Sequence, residues 1–195
     1  MHARIPNLVF GFHGCDEKIG RALINGKKQL RASENNYDWL GHGIYFWENA
    51  PHRAWQWACE QKERGALKKP FVVGAMLDLG DCMDLLDIHH HETLKNAYEL
   101  YKMMAPEGLV ENKGGKDKAL RYLDCAVINI LHKRLNDNRE KPIDSIRCAF
   151  EEGNPAFQGS NILDKAHIQI CIRTTQCIKG YFRPLNTRGS ALDFN

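Results

Sequence analysis

Two short segments bring together residue types that can hold a ligand closely and stack on a flat heterocycle. The first is Phe12-His13-Gly14, behind the apolar run Leu8-Val9-Phe10-Gly11. The second, later in the chain, is Gly41-His42-Gly43-Ile44-Tyr45-Phe46. Glycine lets the backbone approach a ligand closely, so a histidine beside it can set a side-chain donor and a backbone amide against one molecule. A tyrosine in a strand opened by glycines offers a ring for stacking and a hydroxyl at its edge. A third segment, His167-Ile168-Gln169-Ile170-Cys171, alternates so that His167, Gln169 and Cys171 share one face. That face suits a cleft wall and an open sheet face equally well. Glu151 and Glu152 stand in the loop before it.

Plainer readings stand beside these. His13 also fits a satisfied core histidine, Tyr45-Phe46-Trp47 a packed strand, and Glu151-Glu152 an ordinary loop pair. His89-His90-His91 does not make a metal site, because consecutive residues cannot all turn inward, and no Cys/His/Asp cluster follows at zinc-like spacing. No metal is expected. Asp78, Asp81, Asp84 and Asp87 lack calcium-loop spacing and read as turn and capping residues. The basic loop 113–118 reads as a solvated surface. The nucleophile-elbow, phosphate-loop and zinc-protease motifs are all absent.

The elements that must position these residues follow from hydrophobic period and turn signals. Residues 8–12 read as a strand that delivers His13 to its end, and 17–25 as a helix closed by Asn25-Gly26. After a polar loop, 44–47 is a second strand. A helix over 50–64 follows, with Pro51 in its first turn and Gly65 as its stop. Residues 71–79 form the longest strand-like run. Two helical patterns, 91–104 and 118–135, precede a strand at 146–150 and a loop over 151–161. Strands at 168–172 and 177–182 close the chain as a hairpin through Arg173-Thr174-Thr175-Gln176. Strands at both ends with helices between them predict an α+β fold. With no repeat or linker, a single domain over 1–195 is expected, with a loose tail from residue 186.

Composition bounds the reading further. The 195 residues suffice for one domain with a real core. Hydrophobic residues at 43% and charged residues at 26% match ordinary globular chains and exclude disorder, collagen and coiled coil as the main architecture. Lys plus Arg at 27 against Asp plus Glu at 24 gives a net charge of +3, too mild to argue by itself for nucleic acid or membrane. Seven cysteines, an odd number without a CxxC pair and mostly in apolar runs, point to buried thiols in a reducing compartment. The N-terminus lacks the apolar stretch of a signal peptide and no window reaches the length of a membrane span. A soluble, cytoplasmic protein without membrane partners is expected.

FHG, then GHGIYF, then a helix containing Ala54 and a following aromatic residue, resembles the ADP-ribosyltransferases of the diphtheria-toxin and poly(ADP-ribose) polymerase type. The wording YDWLGHGIYFWENA, with HIQICIR near the end, is most similar to small bacterial members of toxin or phage-defence type. The resemblance is densest over residues 8–58 and 71–80, returns over 145–183, and is absent from the middle helices. It implies a split antiparallel β-sheet with an NAD cleft, and NAD as a consumed substrate, so that no dinucleotide-binding glycine fingerprint is expected. It also implies that His13 bonds the nicotinamide-side ribose and the Gly14 backbone binds the carboxamide. Gly43 belongs to the same NAD-binding set, and Tyr45 stacks on the nicotinamide. The second aromatic of that sandwich falls by position at Gln56, one residue from Trp57, which makes Trp57 the candidate.

One departure bears on catalysis. The family's late-strand glutamate, which steadies the cationic ribose, falls at Gln169. Glutamine keeps an acceptor but loses the charge that usually carries a large share of transition-state stabilisation. Either Gln169 suffices for single-unit transfer, or Glu152 (with Glu151 as neighbour) brings the carboxylate; polymer elongation is not expected. The resemblance therefore implies a mono-ADP-ribosyltransferase acting on a macromolecular acceptor, protein or nucleic acid, with an antitoxin as a partner if it serves as a toxin. The Gln169 departure keeps a non-catalytic NAD- or ADP-ribose-binding module in view. An RNA 2′-phosphotransferase is more distant, since it grips phosphate with several arginines and the GHGIYF strand has none.

Overall fold

The computed structural model describes residues 8–114, 119–185 and 190–192. Most of the tail expected from residue 186 and most of the basic loop 113–118 lie outside them; of the tail, Ala191 bridges to Leu185 and Leu192 N–H donates to Pro184 O. The elements in chain order are β1 (Leu8–Asp16), α1 (Glu17–Ile24), β2 (Ile44–Glu48), α2 (Pro51–Glu63), β3 (Pro70–Asp78), β4 (Cys82–Asp84), α3 (His91–Met104), α4 (Tyr122–Asp137), β5 (Ser145–Phe150), β6 (His167–Ile172) and β7 (Ile178–Phe182). The fold is α+β: four α-helices among the described residues and a seven-stranded sheet in the hydrogen-bonding order β4-β5-β6-β2-β1-β3-β7. The sheet is mixed rather than wholly antiparallel, because β4 pairs parallel with β5. No described helix is long and apolar enough to cross a membrane.

The chain divides into two compact units, neither continuous in sequence. One holds residues 1–30, 46–79 and 175–195; the other holds 31–45 and 80–174. In the first unit β1 pairs with β3 from Leu8↔Asp78 to Asp16↔Pro70, and β3 pairs with β7 on its other edge. Asp16 ends β1 and starts α1. One carboxylate oxygen caps Lys18 N–H at 3.1 Å, and the other accepts from Lys68 and Lys69 N–H at 3.0 and 3.1 Å. These bonds to the ionised form hold its pKa below the usual carboxylate value. The helix ends where Gly26 takes φ +67°, a conformation with little penalty only for glycine, while Lys27 N–H reaches back to Ala22 O. In α2, Pro51 occupies the first turn and the small face of Ala54 and Ala58 is buried without residual exposure. Trp55 and Trp57 of that helix join Ala54 in an apolar cluster with Phe12, Trp47 and Val72.

In the second unit, α4 supplies Val127, Ile128, Leu131 and Leu135 to a core shared with Leu40, Met83, Ala97, Ile146 and Cys171. This helix starts at Tyr122 rather than at residue 118, because its first free N–H groups are met from outside. Asn112 Oδ1 accepts from Leu123 and Asp124, and Tyr37 O accepts from Arg121.

Two other sequence expectations are corrected. β1 does not stop at residue 12 but runs through His13 and Gly14 to Asp16, since β3 pairs with it over that whole length. The terminal hairpin does not form. β7 pairs with β3, and its Tyr181 packs on the Cys15–Leu23–Val73 cluster. β4, three residues long, carries too little pattern to be read from sequence. All seven cysteines are free thiols; Cys15, Cys125, Cys171 and Cys177 are buried.

Candidate functional site

His13, Gly14 and Trp57 belong to the first unit; Gly43, Tyr45, Glu152 and Gln169 belong to the second. Each set is described within its own unit.

His13 is half-buried inside β1, opposite Val73 of β3, with its ring centroid 5.8 Å from that of Phe46. The β1–β2 register consists of Gly11↔Glu48 and Phe12↔Trp47, so His13 stands one residue past its end while pairing with β3 continues to Asp16. Gly14 has a second reason to be glycine. A Cβ there would lie 2.5 Å from Ala54 O and 3.0 Å from Trp57 Cε3, so the residue admits α2 to the strand. Trp57 fills that contact and tilts against Trp47, with centroids 5.7 Å apart. Its described contacts are those of a packing residue.

Tyr45 is half-buried against the second unit's core, and its hydroxyl is spoken for. It accepts from Leu40 N–H at 2.8 Å and donates to Gly41 O at 2.5 Å, clamping the turn in which Gly41 sits at φ +72°. Burial raises the phenol pKa well above its ordinary value. Removing the hydroxyl strands a backbone donor and an acceptor, so Tyr45→Phe is expected to cost about 1–3 kcal/mol in urea denaturation with unchanged far-UV dichroism. A variant as stable as the parent would show the clamp to be idle.

Gly43 is likewise a packing glycine. Its N–H and C=O are both bonded to Ser33, at 3.0 and 2.7 Å, and a Cβ would strike Cys171 Sγ and Ile172 O. Its backbone groups are therefore occupied by protein partners.

Gln169 pairs across to Cys148, as His167 does to Phe150 and Cys171 to Ile146. Because paired residues of an antiparallel ladder point to one face, this is the face from which Ile146, Cys148, Phe150 and Cys171 enter the α3–α4 core. The open-face reading is thereby corrected: Gln169 is 9% exposed, and its amide oxygen is buried without a hydrogen-bond partner. Glu152 comes close to the same strand. Its carboxylate is 3.9 Å from His167 Nδ1, which lies 2.6 Å from Lys165 O. A carbonyl only accepts, so in that contact Nδ1 carries the proton. Glu151 is exposed.

Other features of this unit were not read from sequence. Arg121 lies over Trp39 at 4.7 Å and over Phe150 at 5.4 Å. Asp38 is buried on bonds from Ser33 Oγ and Asn35 N–H. Arg173 reaches His42 O and Asn129 Oδ1. An open groove of about 440 Å³ runs past Asn36, Val110, Lys113 and Tyr122, and none of the sequence candidates lines it. No group of three or more His, Cys, Asp or Glu side chains among the described residues is placed to hold a metal ion.

No protein-family model and no solved structure matches the chain. Uncharacterized protein MJ0359 of Methanocaldococcus jannaschii is 30% identical over 188 residues, covering 86% of this chain and 83% of that protein. At that identity and coverage the two chains are homologous along most of their length, and this chain belongs to the family of MJ0359.

Proposed function

We propose that the protein is a mono-ADP-ribosyltransferase. The glycosidic bond between C1′ and the nicotinamide nitrogen of NAD breaks, nicotinamide leaves with the electron pair, and a nucleophile of the acceptor bonds to C1′ and releases its proton. In this reading His13 and the Gly14 backbone hold ribose and carboxamide, while the Tyr45 hydroxyl keeps the 40–41 turn in place. Gln169 supplies an acceptor to the ribose hydroxyl, with Glu152 as the nearby carboxylate. Trp57 and Gly43 act by packing. Strain on the bound sugar and exclusion of water would favour departure of neutral nicotinamide.

The observation that carries the reading is the strand order β6-β2-β1. The three segments that resemble the transferases place HIQICI on β6, IYF on β2 and FHG on β1, strands next to one another in the sheet. The buried, unpartnered oxygen of Gln169 adds to it, since such groups are normally satisfied in native proteins.

The test is labelled NAD incubated with purified protein and lysate, followed by separate protease and nuclease digestion. Nicotinamide release and label transfer are expected, reduced on the order of 100-fold by His13→Ala. Toxicity on expression, relieved by the same substitution, would support a toxin role with an antitoxin partner. Tight NAD binding without release, with lysate present, would replace the enzyme by a binding module. Neither binding nor release would end the proposal.

A further inference from the structure

An antiparallel sheet face left to solvent is ordinarily polar, and an apolar one is covered by a second layer. In the first unit one face of the β1–β3–β7 part of the sheet is closed, and Val73, Ala75 and Leu77 of β3 have no residual exposure. The other face is only half covered. Paired residues of an antiparallel ladder point to one face. The pairs Leu8↔Asp78, Phe10↔Met76, Phe12↔Gly74 and Gly74↔Phe182 therefore set Leu8, Phe10, Phe12, Met76 and Phe182 side by side on it. Helix α2 takes the end of that face at Gly14 and Phe12, through Ala54 and Trp57. Beyond it Leu8, Phe10 and Met76 stay 50, 49 and 37% exposed.

Phe182 lies over Gly74, where a side chain would collide with its ring, and meets Phe10 and Phe12 edge to face with centroids 5.7 and 6.1 Å apart. The exposed side chains thus stand on regular strands with their neighbours fixed, so little freedom is lost when a partner covers them. Three large apolar residues at this exposure make a contiguous area on the order of 300 Å², a size that marks an interaction site on a soluble protein. The rim says which partner. Asp78 stands on the same face opposite Leu8, and Lys179 Nζ lies 3.7 Å from its Oδ2, with both side chains reaching solvent. One acid and one base give this edge no net charge. An anionic membrane or a strongly charged protein gains nothing from it. A second copy does, because a surface bearing one charge of each sign is complementary to itself when turned about a two-fold axis.

We propose that this face is the interface of a homodimer. The Leu8–Phe10–Met76 patches of two copies pack face to face about a two-fold axis, and Lys179 of each chain is set against Asp78 of the other. Such a contact buries the same surface on both chains and closes the assembly at two. Its apolar centre is small, so the dimer lies at the weak end of specific interfaces and forms as concentration rises. The interface is independent of the transferase reading, and its test contains no NAD.

The full chain is followed by sedimentation velocity from about 1 to 500 µM, a range that brackets a weak specific dimer. A shift from monomer to dimer is expected. Phe10→Lys puts a charge at the centre of the patch and is expected to raise the dissociation constant at least about tenfold. Ile88→Lys, at an apolar residue 81% exposed elsewhere, is expected to leave it unchanged. Asp78→Lys and Lys179→Asp each set like charges across the axis and are expected to weaken the dimer about tenfold, while an equal mixture of the two restores it. That rescue cannot arise within one chain, because each variant still carries two like charges at this rim. Far-UV dichroism checks folding, and the wild-type concentration dependence decides the matter if a variant fails to fold. A chain that stays monomeric throughout would overturn the proposal. So would assembly beyond the dimer, a dimer as sensitive to Ile88→Lys as to Phe10→Lys, or charge variants that do not associate on mixing.

Discussion

Alanine at position 43 is expected to destabilise the protein by about 3 kcal/mol or more, the upper range of overpacking in a close-packed interior. The added methyl would lie 2.8 Å from Ile172 O, a backbone atom of buried β6, as well as against Cys171 Sγ. Neither side can yield easily. The Gly43 backbone is fixed by two hydrogen bonds to Ser33, and Ile172 is fully buried. Gly180→Ala is the matched control. Its methyl would meet only the flexible end of Met76, at 3.3 Å, and a change within about 0.5 kcal/mol is expected. Urea denaturation of both variants checks the contrast. Equal midpoints would mean that the glycine at 43 is not there for close approach.

The second large effect is acid sensitivity from His132. Burial, with a smaller push from the Arg173 cation, lowers its pKa from 6.5 to about 3. A histidine depressed in the folded state binds its proton first in the unfolded chain. Its contribution is therefore complete above the unfolded pKa and is lost as pH falls from about 6.5 toward 3. Each unit of difference is worth about 1.4 kcal/mol, so the full loss is on the order of 5 kcal/mol. His132→Leu removes the titrating group, and its stability is expected to fall less steeply than the parent's between pH 6.5 and 3. Parallel profiles would show that His132 protonates as easily folded as unfolded. The carboxylates Asp16 and Glu17, also depressed, add acid sensitivity to both proteins and cancel in the comparison.

What the sequence disclosed follows the physics of local signals. Helix ends were legible because they are written in a few neighbouring residues: Asn25-Gly26 after α1, Pro51 and Gly65 around α2, and both bounds of α3. The start of α4 was not, because its capping group, Asn112, lies in a separate loop. The alternation in HIQICIR gave the correct shared face for His167, Gln169 and Cys171, but period alone does not say what covers a face, and here it is the α3–α4 core. The hairpin expectation failed for a related reason. Closeness in sequence favoured β6 with β7, whereas the apolar contacts of Tyr181 with the Cys15–Leu23–Val73 cluster belong to the strand beside β3. Glycines were found by motif and explained by packing: Gly14 and Gly43 are where they are because α2 and β6 need the space. Arg173 closes the HIQICIR segment, but its bonds to His42 O and Asn129 Oδ1 have no local signal in the sequence.

The unit assembled from residues 1–30, 46–79 and 175–195 draws its strands from both ends of the chain. Contacts between remote stretches must be closed against chain entropy, so refolding in the millisecond-to-second range is expected rather than the microseconds of a local bundle. On the ribosome the same feature has a sharper meaning. β3 is synthesised long before β7, and until β7 emerges its outer edge is an unpaired row of backbone donors and acceptors. Such an edge is a template for pairing with another nascent chain. Residues 70–78 are therefore the stretch where pairing with another nascent chain is expected until β7 is made.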